Sequence, residues 1–261
     1  MLHELTRSGF QEWLAEGGKP LVILAVGSIE QHGPHLPLGT DSLSALAISQ
    51  KLAQATGALV VQPCWPGYSP HHMGFPGTIT FKHDTLLAVL IDTMESLVHH
   101  GVSRILILNF HGGNAEVVGA AERLARRKFD VQVMSAPFFE STPSPEEAQE
   151  QLDLMDFHSG TGETSFALAE FPQFVEMDRV KDWRPSMRLP EELKQLKEEG
   201  LEPAFINRLA GLYLNNSHEF SDDGIWGYAD PNLADPEAAA KQVEAALKRL
   251  VRFVEAWETL P

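Results

Sequence analysis

Carboxylates and imidazoles gather at three places in this chain. The first is Glu30-Gln31-His32-Gly33-Pro34-His35, with Asp41 eleven residues beyond Glu30. The second is His111-Gly112-Gly113-Asn114, and the third is His158-Ser159-Gly160-Thr161-Gly162-Glu163. The first two follow short apolar runs that read as buried strands. Side chains two apart in extended chain point the same way, so Glu30 and His32 share a side. The Gly-Pro turn after them can fold Asp41 back toward Glu30. A mixed Glu, His and Asp set suits zinc, manganese or iron(II) better than calcium, which takes oxygen ligands. Several carboxylates with two or more imidazoles can hold two cations with one carboxylate bridging. Such a pair, ~3.5–4 Å apart, generates hydroxide and polarises a carbonyl. That chemistry is hydrolysis.

Rival readings are weaker. An His-Gly-Gly turn can build an oxyanion hole, but its enzymes need a Gly-x-Ser-x-Gly elbow, and the chain has none. The glycine patterns of dinucleotide and P-loop sites are also absent. Gly112 and Gly113 let backbone pass close to a bound group, and Asn114 opens the next helix. Glu163 stands where a turn becomes a helix. There it either complements the helix dipole or serves as a ligand, and His158 is a candidate proton shuttle. His35, His71 or His72, Phe157 and Trp226 are candidates for the substrate pocket, with Phe138 and Phe139 among its walls. Cys64, the single cysteine, reads as a small residue at a buried strand end and excludes an internal disulfide framework.

The elements that must position these residues alternate in type. Strands are predicted at 21–26, 59–61, 104–110 and 131–134. Helices are predicted at 41–55, with Asp41 as N-cap, at 84–100, capped by Asp84, and at 114–128. The last carries an apolar face of Val117, Val118, Ala121 and Leu124. This alternation predicts an α/β fold with a mainly parallel sheet covered on both faces. In such sheets ligands collect at the carboxyl ends of the strands. The second half is less regular: an acidic loop running into a short helix at 141–153, a charged amphipathic excursion at 184–203, and a long helix at 235–258. No linker divides the chain, so 1–261 reads as one domain. With 36 acidic against 20 basic residues the formal net charge is -16, which argues against nucleic acid as a partner. Arg123, Arg126, Arg127 and Lys128 read as the last turns of a helix, where cations suit the dipole. No stretch is long and apolar enough for a membrane span, and the expected location is the cytoplasm.

The three clusters together resemble the creatininase (creatinine amidohydrolase) family. The resemblance rests on residues 27–41, on Asn109-Phe110-His111-Gly112-Gly113-Asn114 and on residues 158–165. Phe75-Pro76-Gly77-Thr78, Gly224-Ile225-Trp226-Gly227 and Asp230-Pro231 add to it. It implies a three-layer α/β/α fold, two divalent metal ions per subunit (Zn, Mn or Fe), hydrolysis of non-peptide C–N amide bonds, and a homo-oligomer, often a hexamer. Carried over by position, Glu30, His32, Asp41 and His111 are ligands, Asp41 bridges, and His158 is the catalytic histidine. Two positions depart. Creatininase has a metal-binding Glu where this chain has Gly113, so Glu163 becomes the expected replacement ligand. It has a Trp near its substrate where this chain has Leu154. Both departures point away from creatinine itself. The family also includes deformylase-like enzymes and a peptide-trimming member. The expected activity is a metal-dependent amidohydrolase acting on a small amide, lactam or formamide. The alternatives are a single-metal hydrolase and a non-catalytic binding protein.

Overall fold

The computed structural model describes residues 1–16, 20–137, 156–210 and 215–260. Four strands form its sheet: β1 (Leu21–Val26), β2 (Leu59–Val61), β3 (Arg104–Asn109) and β4 (Gln132–Pro137). They lie in the order β2-β1-β3-β4 and every pairing among them is parallel. The strands are rich in Val, Ile and Leu because both faces are covered, and β1 and β3 are buried at every residue.

Alternation along β1 divides the core. Val22, Leu24 and Val26 face α1 (Arg7–Ala15), α3 (His83–His99) and α4 (Ala115–Lys128), and pack on Leu86, Leu90, Met94, Val117 and Ala121. Leu21, Ile23 and Ala25 face α2 (Thr40–Thr56), α5 (Thr161–Glu170) and α9 (Pro236–Glu258), and pack on Ala45, Ile48, Leu52, Val243 and Trp257. Three layers result, as the strand–helix alternation predicts. The chain steps outward from β1 to β2, then back across to β3. Right-handed crossovers in opposite directions put α2 and α3 on opposite faces. They also leave a crevice between the carboxyl ends of β1 and β3.

Several boundaries differ from the sequence reading. Asp41 is not the N-cap of α2; Gly39 is, and Asp41 lies in the first turn with its carboxylate turned inward. Lys82, not Asp84, occupies the cap position of α3. On α4 the buried face passes through Ala125, and Leu124 is 46% exposed, because the stripe advances by whole turns from Val117 and Ala121. The excursion at 184–203 holds α6 (Glu191–Glu198) and leads into α7 (Pro203–Ala210). Its Leu189 and Leu193 join Ile206 in a small core of their own. After it come α8 (Ser217–Phe220) and α9, whose N-cap Asp235 accepts from the backbone of Glu237 and Ala238. Arg104, the first residue of the third predicted strand, is 1% exposed, paired with Glu258 at 2.9 Å and set over Trp257. The segment 141–153, with Phe138, Phe139 and Leu154, lies outside the described residues. Among the described residues no helix is long and apolar enough to cross a membrane.

Candidate metal centre

The crevice between β1 and β3 receives the chemistry. A Cβ on Gly27 would lie 2.4 Å from the Ser42 backbone nitrogen. Only glycine there lets the first turn of α2 rest on the end of β1, and that contact brings Asp41 over Glu30. His111 follows β3 directly. Asn109 Nδ2 donates to the His111 carbonyl at 2.8 Å. Asn114 Nδ2 donates to the Gly27 carbonyl at 2.9 Å, and Asn114 Oδ1 accepts from Tyr68 N at 2.9 Å. Asn114 therefore ties the strand ends to the Tyr68 loop, and its side chain does not cap α4. Glu163 comes from the first turn of α5. It is delivered by a tight turn in which Ser159 adopts φ 59, a left-handed conformation costing of order 1 kcal/mol for a non-glycine residue.

Five of the expected residues converge in two groups that share Asp41. Glu30, Asp41 and His111 offer ligand atoms within 4.8 Å of one another, and so do His32, Asp41 and Glu163. In the first, His111 Nδ1 lies 3.3 Å from Glu30 Oε2 and 3.1 Å from Asp41 Oδ2. In the second, His32 Nε2 lies 3.2 Å from Asp41 Oδ1 and 3.7 Å from Glu163 Oε2. His158 stands beside both, with Nδ1 at 3.9 Å from Glu30 Oε1.

Hydrogen bonds settle which ring atoms face inward. A carbonyl can only accept, so a ring nitrogen against one carries the hydrogen. His32 Nδ1 donates to the Glu30 carbonyl at 3.2 Å, leaving Nε2 for the centre. His158 Nε2 donates to the Gln31 carbonyl at 2.7 Å, leaving Nδ1. Gln31 Nε2 donates to His72 Nδ1 at 2.8 Å and to the Gly224 carbonyl at 3.0 Å. His72 must then present Nε2–H, which points at Glu30 Oε1 from 3.3 Å.

Burial opposes charge throughout the cluster. At His32 it is outweighed by Asp41, then Glu163 and Glu30, which hold the imidazolium up at about 10. At His111 burial is likewise outweighed, by Glu30 and Asp41. Asp41 is buried too, yet His32 and His111 hold its carboxyl well below the usual range. Glu163, only partly buried at 25% side-chain exposure, goes the other way: that partial burial and the neighbouring Asp41 push it up to about 7 against the pull of His32. Burial, and after it His32, pushes His158 down to about 3. Burial and His158 press His72 far below its ordinary range.

Glu30 Oε2, His32 Nε2 and Asp41 Oδ2 are buried and make no hydrogen bond of good geometry. Buried polar atoms of this kind cost free energy unless something compensates them. Two carboxylates facing an imidazole in each group are the donor set that divalent cations take, so the residues fit a metal pair.

Comparison with known proteins agrees with that donor set. Residues 3–254 match the family profile described as Creatininase: Creatinine amidohydrolase. The chain belongs to the creatininase family. A creatinine amidohydrolase of Pseudomonas putida is 30% identical over 200 residues, covering 70% of this chain and 76% of that protein. A 3-dehydro-scyllo-inosose hydrolase of Thermotoga maritima is 30% identical over 177 residues, covering 66% of this chain and 57% of that protein. The match thus spans little more than half the length of the Thermotoga relative. A solved tryptophan-to-phenylalanine mutant creatininase has the same fold, with a TM-score of 0.73, 26% identity and 99% of both chains covered.

The expected pocket residues fare unequally. His35 is 1% exposed, and its Nε2 donates to Thr164 Oγ1 at 2.8 Å, so it anchors the start of α5 and does not face open space. His72 is also 1% exposed and braces Glu30 from behind. The Phe157 ring packs with the Leu189, Leu193 and Ile206 cluster. Trp226 does line the site. It stacks on His72 at 5.0 Å and stands 5.3 Å from His158 and 5.8 Å from His71. Cys64 is half-buried, its Sγ donates to the Pro66 carbonyl at 3.3 Å, and burial pushes the thiol up to about 11, which leaves it a poor nucleophile. Sequence reasoning missed Gln31 and Ser217. Gln31 holds His72, Gly224 and the Gly33 backbone, and Ser217 Oγ lies 2.8 Å from His72 Nδ1. Gln31 had a signal, its place between Glu30 and His32; Ser217 had none.

Proposed function

We propose that this creatininase-family chain hydrolyses a C–N amide bond of a small molecule, using divalent cations held by Glu30, His32, Asp41, His111 and Glu163. The observation that carries the reading is Asp41, a buried carboxylate shared between two groups of candidate ligands. Solved creatininases of the same fold include a manganese form and a zinc–zinc form of a mutant. When bound, such cations polarise a carbonyl and acidify water at neutral pH. His158 handles the proton. Its Nε2–H is committed to the Gln31 carbonyl, so Nδ1 offers a lone pair toward the centre, and burial makes any proton taken there easy to pass on. It accepts a proton first and returns it to the leaving nitrogen. Trp226 lies beside His71 and His158 with its ring tilted 57° and 47° to theirs, and Trp226 Nε1 is a buried donor without a hydrogen bond. An unpaired donor beside imidazole rings suits a small molecule that carries a carbonyl acceptor, such as an amide, lactam or formamide.

One observation favours a second reading, hydrolysis with a single cation. The Glu163 side chain is 25% exposed, against 1% for Glu30, so the group it completes is open on one side. Metal analysis and turnover separate the readings. Two equivalents of metal per chain, with turnover of a panel of formamides, lactams and linear amides that a chelator abolishes, is the expected result. A single equivalent at saturation selects the single-cation reading. A fully loaded protein inert on the whole panel sinks the hydrolase reading and leaves a binding protein. The proposal also carries one domain over 1–261, a homo-oligomer that the resemblance makes a hexamer, and a cytoplasmic location. Sedimentation and cell fractionation check the last two.

A further inference from the structure

His111 is held by a contact that leaves no room beside it. Its Nε2 lies 3.0 Å from the Tyr68 carbonyl oxygen and 3.1 Å from Ser69 Oγ. Ser69 Oγ is itself 2.5 Å from Ser28 Oγ. The carbonyl can only accept, so Nε2 carries a hydrogen and Nδ1 is the atom turned toward Glu30 and Asp41. Gly113 sits against this contact. A Cβ there would lie 2.4 Å from His111 Nε2 and 2.4 Å from the Tyr68 oxygen. Neither neighbour steps aside cheaply. The oxygen belongs to backbone whose Tyr68 N–H is pinned by Asn114 Oδ1 at 2.9 Å, and the His111 ring is buried. Backbone strain is not the reason for glycine here, because Gly113 is not among the residues with positive φ. The requirement is space. Next door, a Cβ on Gly112 would meet nothing within 4 Å.

We propose that Gly113 is a positioning residue of the metal centre. Its missing side chain lets the Tyr68 carbonyl close on His111 Nε2 and aim Nδ1 at the Glu30–Asp41 pair. Any side chain at 113, a carboxylate included, opens this group and does not add a ligand. The inference rests on the reading that Glu30, Asp41 and His111 hold a cation.

Zinc titration with metal analysis tests it on four variants of the full chain. Gly113→Ala and Gly113→Glu should each bind one equivalent fewer than the parent, or bind it roughly 100-fold more weakly. Gly112→Ala should keep the full complement. A Gly113→Ala protein with parental stoichiometry and affinity overturns the proposal, as does a Gly113→Glu protein that gains either. Asp41→Asn separates the two levels: if it retains all its zinc, the metal reading itself fails, whatever Gly113 does. If circular dichroism shows that the Gly113 variants do not fold, nitrogen NMR of the zinc-loaded parent decides. His111 protonated at Nε2 and ligated at Nδ1 supports the proposal, and the reverse arrangement overturns it.

Discussion

The two groups that share Asp41 are built differently. Glu30, Asp41 and His111 all come from the ends of β1 and β3 and the first turn of α2, and are 1%, 5% and 6% exposed. The sheet imposes their meeting, because adjacent parallel strands deliver whatever follows them to one crevice. His32 leaves the same loop, but its third partner, Glu163, arrives from the second half on α5. That helix packs on α9 and α2, and its start is tied back by the His35–Thr164 bond. One group is closed by local topology. The other is completed by a separate segment and stays partly open at Glu163. A cation in the second group is therefore expected to exchange faster and to depend on how α5 is docked.

Asp41→Asn should have the largest effect, since it removes the carboxylate both groups use. Metal content should fall toward zero, and activity should fall well beyond the roughly 10–100-fold that residues behind the ligands produce. Loss of one equivalent alone would mean the groups are independent and the shared carboxylate is incidental. Glu163→Gln comes next. It should remove one equivalent and leave the Glu30–Asp41–His111 group loaded, and metal analysis after dialysis reads this directly. If both equivalents leave together, the contrast drawn between the groups is wrong. Gln31→Leu should act on neither group's ligands but on their supports. It releases His72 and the Gly224 carbonyl, and steady-state kinetics should show a roughly 10–100-fold lower kcat with metal retained.

The smallest effect is a pH slope. In the metal-free protein His32 is raised from 6.5 to about 10, with Asp41 and Glu163 overcoming its burial. The stability this ion pairing contributes is present in full below pH 6.5 and is lost as pH rises through about 10. A cation must displace the same proton, so binding to the second group should strengthen by up to about tenfold per pH unit between 7 and 10, and more steeply below 7, where Glu163 also holds a proton. Isotherms for that group at pH 6, 7 and 8 would expose a flat response, which is incompatible with His32 as a ligand.

Much of the frame was readable from the chain. The four apolar runs were found because strands buried on both faces leave continuous hydrophobic stretches, and three helices because their apolar stripes repeat by turns. Boundaries slipped where local chemistry is ambiguous. Asp41 has the composition of an N-cap, and only the packing of α2 on Gly27 turns it inward. Glu163 was legible as a candidate only through the departure at Gly113, since a carboxylate in a helix's first turn is ordinary. Phe157 and His35 are pocket candidates in the sequence, Phe157 from the irregular second half and His35 with a structural role as its alternative. Their side chains go to a satellite core and to an anchoring bond, and the local sequence carries no information about that.

By itself the sequence determined the sheet, the crevice and the residue types gathered there, because hydrophobic periodicity and strand-end position are local properties. Tertiary structure decided which donor atoms face one another. It joined His32 to Glu163 across 131 residues of sequence. It chose the ring nitrogens of His72, His111 and His158 through carbonyls and an amide contributed by other segments, while His32 takes its orientation from the Glu30 carbonyl two residues away. It also made Gly113 a matter of space rather than of backbone conformation. Those outcomes depend on distances between parts of the chain that no local pattern encodes.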